Sequence, residues 1–285
     1  MTKLRTLKTA VEFLEMAEPD LEKNEVVNNL LLGIVYSLIE NPRQYRSDPF
    51  YAIVENKGLF ELFALMTPPY KPILYASHDA VEDACKELAK HFASQKMEIP
   101  GVIGPQKAAR TFVNVYSAIT DCAVNLSMSM RIYKLTRVIE PQKPKGIFRP
   151  AEEKDVPILK KWIDAFHIDV FKELKEDVKE DPSLLIRNSD LYVWDDNGIV
   201  SMVHKTRPTK HGYAITLVYT PPLLRNKGYA SAVVAALCGY ILTGGKTFCS
   251  LFTDLSNQTS NSIYQKIGFK PVCDFYDFTF EGRKG

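Results

Sequence analysis

The sequence predicts an α+β protein of two similar tandem units, each a mostly antiparallel twisted sheet flanked by helices. Three observations lead there. The chain has 285 residues, 46% hydrophobic and 25% charged, enough for two cores of ordinary size. Residues 140–146, EPQKPKG, hold two prolines, two lysines and a glycine without apolar period, which marks a linker near the middle. A helical stretch followed by a hairpin then recurs in the same order in both halves.

In the first half, Val26, Val27, Leu30, Leu31, Ile34, Val35 and Leu38 recur at helical spacing. Strands at 50–54 and 59–66 flank the turn Glu55-Asn56-Lys57-Gly58, the chemistry of a hairpin. Helices are expected at 79–92 and 107–116, and a strand at 131–138. The second half opens on Val156, Leu159, Trp162, Ile163 and Phe166, with Asp155 placed to cap that helix and Pro157 in its first turn. Strands at 191–194 and 199–206 flank Asp195-Asp196-Asn197-Gly198. A strand at 213–220, a helix at 226–242, a strand at 247–252, a helix at 259–267 and a strand at 272–280 follow.

Composition excludes more than it suggests. The 36 basic and 34 acidic residues leave a net charge of +2, with no basic stripe, so no nucleic-acid partner is expected. Five widely spaced cysteines offer no metal-ligand spacing, so no metal is expected and reduced thiols fit a cytoplasmic protein. The N-terminus MTKLRTLKTAVEF lacks an apolar signal core. The longest apolar stretch, around 30–39, is broken by Gly33, Tyr36 and Ser37 and is too short for a bilayer, so no membrane partner is expected. A monomer and a homodimer fit equally.

Two runs carry chemistry. In residues 220–230, TPPLLRNKGYA, two prolines end a strand and a glycine precedes a helix rich in Ala, Val and Leu. A helix N-terminus with unpaired N–H groups suits a pyrophosphate, and Arg225 and Lys227 add charge. Neither a GxxxxGK[ST] nor a GxGxxG pattern is present. In residues 257–269, NQTSNSIYQKIGF, Asn257, Asn261 and Tyr264 share one helical face, Ile263 and Ile267 the opposite one, and Gly268 ends the helix.

RNKGYA resembles the R/Q-x-x-G-x-G/A signature of the GNAT acyltransferases, and NQTSNSIYQKIGF resembles their second signature. The resemblance covers residues 146–280. The first half looks like a degenerate GNAT repeat, because its helix near Ala80 lacks an RxxGxA entry; IPGVIGPQKAARTF and MRIYKLTRV resemble the start of two-repeat bacterial predicted acetyltransferases. The resemblance implies a degenerate domain at 1–140 and an acetyl-CoA-binding domain at 146–285.

It also implies roles. Backbone groups of Val218 and Thr220 would meet the pantetheine arm. The amides of Arg225, Asn226, Lys227, Gly228, Tyr229 and Ala230, reaching Ser231, would hold the pyrophosphate. Asn257 and Asn261 would bond the pantetheine amides or the nearby backbone, Tyr264 would donate a proton to the departing thiolate, and the Val218 N–H would polarise the thioester carbonyl. The central strand YAITLVYT has no carboxylate to serve as base, so the candidates are His204, His211 and Asp254. Asp254 also suits a turn cap. His167 and Asp169, in the charged stretch 165–177, are placed for a cleft mouth; Tyr192 and Trp194 suit either an acceptor pocket or a core.

The implied function is acetyl-CoA-dependent N-acetylation of a small-molecule or peptide amine by direct attack, with no cysteine placed as acyl carrier. The alternatives are a non-catalytic acyl-CoA-binding sensor or scaffold, and an enzyme using a longer acyl group or an acylated tRNA.

Overall fold

The computed structural model describes residues 2–78, 81–172 and 180–283. The chain forms two units: Met1–Ile132 with Asp254–Ser256 and Val272–Gly285, and Tyr133–Thr253 with Asn257–Pro271.

The first unit opens on β1 (Thr2–Leu7), a strand where the apolar pattern predicted helix first. It lies at the sheet edge, with a largely solvated lysine and arginine-bearing face that hides its period. Then come α1 (Ala10–Leu21), capped by Thr9 accepting from the Glu12 N–H, and α2 (Asn29–Glu40). Val26 and Val27, read as helical, precede α2. The expected hairpin forms from β2 (Phe50–Asn56) and β3 (Leu59–Met66), turning through Lys57 and Gly58, both with positive φ. β4 (Ile73–Ala76), α3 (Glu82–Ser94), β5 (Gly101–Pro105), α4 (Gln106–Thr120) and β6 (Cys122–Leu135) complete this half. The helix start expected at Asp79 lies outside the described residues.

The last strand of the chain, β12 (Lys270–Arg283), pairs antiparallel with β5, Phe278 opposite Val102. Strand order in this unit is β1-β2-β3-β4-β5-β12. Gly101 permits the close approach, because a Cβ there would collide with the Phe278 carbonyl. Asp277 pairs with Lys71, and Asp274 takes a two-point contact from Arg131 at 2.6 and 3.1 Å. One core gathers Phe92, Phe112, Val102 and Phe278 under α3 and α4; a second packs Phe13, Leu32 and Val35 of α1 and α2 on Phe63.

The second unit holds the end of β6, then β7 (Ile147–Pro150), α5 (Val156–Phe171), α6 (Pro182–Arg187), β8 (Leu191–Asp195), β9 (Ile199–Thr206), β10 (Gly212–Tyr219), α7 (Tyr229–Thr243), β11 (Phe248–Asp254) and α8 (Gln258–Ile267). Like the first, this half opens on a strand rather than a helix. Strand order is β6-β11-β10-β9-β8-β7. Residues 140–146 carry no regular element.

Asp155 stands at the N-cap of α5 without a cap bond to that helix. Its carboxylate instead accepts from the Glu152 N–H and from Arg149 at 2.7 and 3.1 Å. On one face of the sheet, Val233, Val234, Leu237 and Cys238 of α7 pack on Val203, Ile215, Cys249 and Leu251. On the other, Leu159 and Ile163 of α5 pack on Leu191, Val193, Met202 and Leu217. Among the described residues, no helix is long and apolar enough to cross a membrane.

Phe278 is 5% exposed and Val272 42%, so position in the core rather than position in the sequence decides their weight. Phe278→Ala is expected to destabilise the protein by about 3 kcal/mol in urea denaturation, and Val272→Ala by less than about 0.5 kcal/mol.

Candidate functional site

The site is built where β10 leaves β11. Their parallel pairing runs from Gly212–Phe248 to Ile215–Leu251 and stops. On the other edge of β10, Thr216 faces His204 and Tyr219 faces Met202, so Leu217 and Val218 together oppose the single residue Val203. This is a β-bulge. Leu217 takes φ +48 there, and its side chain is buried against α5. Beyond Ile215 the two strands diverge, and half-buried Val218 stands in the divergent stretch.

Tyr219 ends the strand, and Pro221 and Pro222 prevent further pairing. The Thr220 hydroxyl lies 2.9 Å from that of Ser201, which donates to the Tyr219 carbonyl at 3.0 Å. Arg225 Nε donates to the Thr220 carbonyl at 3.0 Å, and its guanidinium pairs with Asp169 at 2.8 Å. Its side chain thus braces the turn. Asn226 and Gly228 then adopt positive φ of 65° and 82°, which delays the helix from the expected Asn226 to Tyr229.

The N-terminus of α7 has no side-chain cap, and its first intrahelical bond is Ala232 N–H to the Gly228 carbonyl. The N–H groups of Gly228, Tyr229, Ala230 and Ser231 therefore have no partner within the helix. A Cβ on Gly228 would meet nothing nearer than the Gln142 carbonyl at 3.8 Å, so the space in front of the turn is open. Lys227 is exposed beside it. Tyr229 instead points inward, its hydroxyl donating to Asp196 at 2.6 Å. The turn fits a pyrophosphate: backbone donors, the positive end of a helix and an unobstructed approach.

Asn257 caps α8, its Oδ1 accepting from the Ser260 N–H at 3.0 Å. Asn261 donates to the Asn257 carbonyl at 2.8 Å and accepts from the Tyr133 hydroxyl at 3.1 Å. Both side chains therefore have structural duties at the start of α8. Tyr264, 9% exposed, lies in the core under α7 against Phe269. Burial pushes its hydroxyl well above the ordinary tyrosine range, with Cys238 nearby adding to the effect, so it stays protonated.

The three candidate bases are scattered. His204 stands on β9 opposite Thr216, where β10 begins to diverge, and is buried at 6% exposure with Nδ1 unpartnered. Burial, helped by Arg207 and Lys205, lowers its pKa to about 4. His211 is exposed before the start of β10, five residues from Thr216 or roughly 17 Å along an extended strand. Asp254, at the end of β11, accepts from the N–H and hydroxyl of Ser256, both at 2.7 Å, and so closes a turn. His167 pairs with Glu180 at 2.8 Å. Trp194 is core, its indole N–H donating to the Lys145 carbonyl. The rest of the charged stretch, 173–177, lies outside the described residues. Among the described residues, no cluster of three or more His, Cys, Asp or Glu side chains could hold a metal ion.

Residues 198–276 match the family model described as FR47-like protein. The fold is that of solved GNAT proteins. The fold is shared with a solved Drosophila protein (11% identity, 99% of each chain, TM-score 0.66). It is shared also with a GCN5-related N-acetyltransferase from Sphaerobacter thermophilus (12% identity, 100% of this chain and 96% of that one, TM-score 0.60). A tandem GNAT protein from the clavulanic acid biosynthesis pathway matches along the whole of both chains at 11% identity and TM-score 0.53. No curated protein sequence matches the chain.

His204 gives the site a measurable pH signature. Its folded pKa of about 4 lies below the unfolded value of 6.5, so between them the unfolded chain binds more protons. Its contribution is complete above the unfolded pKa and disappears as pH falls to the folded one. Between about pH 7.5 and about pH 4, the wild type should lose about 3 kcal/mol more unfolding free energy than His204→Leu, read by urea denaturation.

Proposed function

We propose that the second unit transfers an acetyl group from acetyl-CoA to the amine of a small molecule or peptide by direct attack. The observation that carries this reading is the coincidence of the β10–β11 divergence with the uncapped N-terminus of α7. Acetyl-CoA supplies an activated acyl thioester; the remaining chemistry is binding, alignment and proton handling.

The amides of Gly228 to Ser231 hold the pyrophosphate, with the amides of Arg225 to Lys227 and the Lys227 charge beside them. The pantetheine arm lies in the gap between β10 and β11, where Val218 and Thr220 offer backbone groups. Asn257 and Asn261 border it from the start of α8. The Val218 N–H polarises the acyl carbonyl, because the bulge removes that residue from regular pairing on both edges.

His204 accepts the proton that the amine nitrogen sheds once it has added to the acyl carbonyl and become strongly acidic. It is neutral at working pH, stands level with the divergence and keeps Nδ1 without a protein partner. Tyr264, held protonated, can only donate, and its partner is the departing thiolate; with its pKa raised by burial it assists departure modestly. The cysteines favour direct attack over an acyl-cysteine: Cys238 and Cys249 are buried in the core under α7, and burial pushes the Cys238 thiol upward.

One donor site per chain follows from the same physics. In the first unit, α3 carries Glu82 and Asp83 in its first turn, and carboxylates there repel a pyrophosphate.

Gly228→Val should weaken acetyl-CoA binding at least ~100-fold by calorimetry, since a β-branched residue resists φ +82 and fills the approach. With an amine acceptor, His204→Asn should lower kcat by about 100-fold or more and Tyr264→Phe by about 10-fold, both with unchanged acetyl-CoA affinity. A wild type that binds acetyl-CoA but acetylates nothing in a broad amine panel would point to a sensor or scaffold instead.

A further inference from the structure

Three buried polar atoms without a hydrogen-bond partner belong to residues of the second unit's β9–β11 region: His204 Nδ1, Arg207 Nε and Ser250 Oγ. Pairing places two of them on one sheet face. Thr216 faces His204, Ala214 faces Thr206, and Ala214 is in register with Ser250 on β11. Residues in register project to the same side, so His204, Thr206, Ala214, Thr216, Ser250 and Phe252 share a face. It is the face opposite α7, whose core takes the alternate residues Val203, Ile215, Cys249 and Leu251.

Arg207 joins this face. It follows β9 with φ +46, and its guanidinium carbon lies 5.4 Å from the centre of the Phe252 ring. Burial lowers its pKa to about 10, and no carboxylate acts against that, so the group is a cation at neutral pH without an anionic partner among the described residues. A second cation, Lys134, lies 5.2 Å from the centre of the Phe248 ring. Strands β9, β10 and β11 contain no acidic residue before Asp254.

A desolvated guanidinium with an idle N–H, sharing a sheet face with a buried hydroxyl that has no partner, is an incomplete arrangement. A carboxylate completes it: one oxygen accepts from Arg207 Nε, and the Ser250 hydroxyl donates to the other. We propose that Arg207 and Ser250 bind the carboxylate of the acceptor, so that the acceptor is an amino acid whose amine is presented to His204. Thr206, level with Ser250 across β10, is two residues or roughly 7 Å along β9 from His204, so the carboxylate site and the base lie on one face of the same three strands. This assignment rests on the acetyl-transfer reading and narrows its acceptor class.

The test uses the full chain and pairs of acceptors that differ only in the carboxylate: the common amino acids, β-alanine and 4-aminobutyrate against the matching amino alcohols. Acetyl transfer is followed by CoA release, and binding to the CoA-loaded protein by calorimetry. The wild type should prefer at least one amino acid over its amino alcohol by about 100-fold in kcat/KM. Arg207→Met should remove that preference, mainly through KM, while leaving acetyl-CoA affinity unchanged. Ser250→Ala should reduce it by about 10-fold.

A folding role for Arg207 predicts a lower Tm in Arg207→Met, whereas a binding cation left unpartnered in the free protein predicts an equal or higher one. The assignment is overturned if Arg207→Met keeps the carboxylate preference, or if it slows amino alcohols equally. It is also overturned if the variant instead changes selection of succinyl-CoA over acetyl-CoA, which would place the anion on the donor. If wild type transfers to no amine, binding decides: Arg207-dependent amino-acid binding sustains the carboxylate site while transfer fails, and no such binding overturns the site itself.

Discussion

The constraint on which the second unit's site depends is the conformation of Leu217. A leucine at φ +48 is strained, and such strain persists only where surrounding packing over-determines it. Here the side chain is buried with Leu159, Ile163 and Met202, so α5 holds the bulge in place. The bulge shifts the register of β10 against β9 and accompanies its departure from β11 after Ile215. The divergence, the two prolines and the glycine turn into α7 then follow within about a dozen residues. Packing on one face of the sheet thereby sets the position of backbone groups at its edge.

Around that framework the polar side chains divide by task. Arg225, Asn257 and Asn261 hold backbone: the turn before α7 and the first turn of α8. In the proposed acetyl-transfer reading the phosphate contacts fall to amides, which suits a chain whose net charge is only +2. Each unit also takes a strand from the other half of the sequence. The first includes most of β12, and the second includes Tyr133 to Leu135 of β6. Cutting the chain at residues 140–146 would leave β5 without its antiparallel neighbour and β11 without the end of β6.

Much of this was legible in the sequence where local chemistry dictates geometry. Asn56-Lys57-Gly58 and Asn197-Gly198 announced their hairpins because those turns need positive φ. Gly268 ended α8 in the left-handed conformation, as read. The short strands β4 and β5 and the edge strands β1 and β7 were missed: four to six residues give no reliable period, and β5 reads as a glycine-proline loop. The glycine turn at 228 was legible, whereas the bulge was not, because nothing in Thr216-Leu217-Val218 distinguishes it from an ordinary strand. Ser250 and Arg207 gave no sequence signal, since an unpartnered buried atom is a property of neighbours distant in the chain.

Hydrogen exchange with and without acetyl-CoA tests the central claim most directly. The account predicts new protection at the amides of residues 228–231 and at Val218, and no change in residues 81–84 at the start of α3. Protection confined to the first unit, or no protection at residues 228–231 at saturating acetyl-CoA, would contradict it.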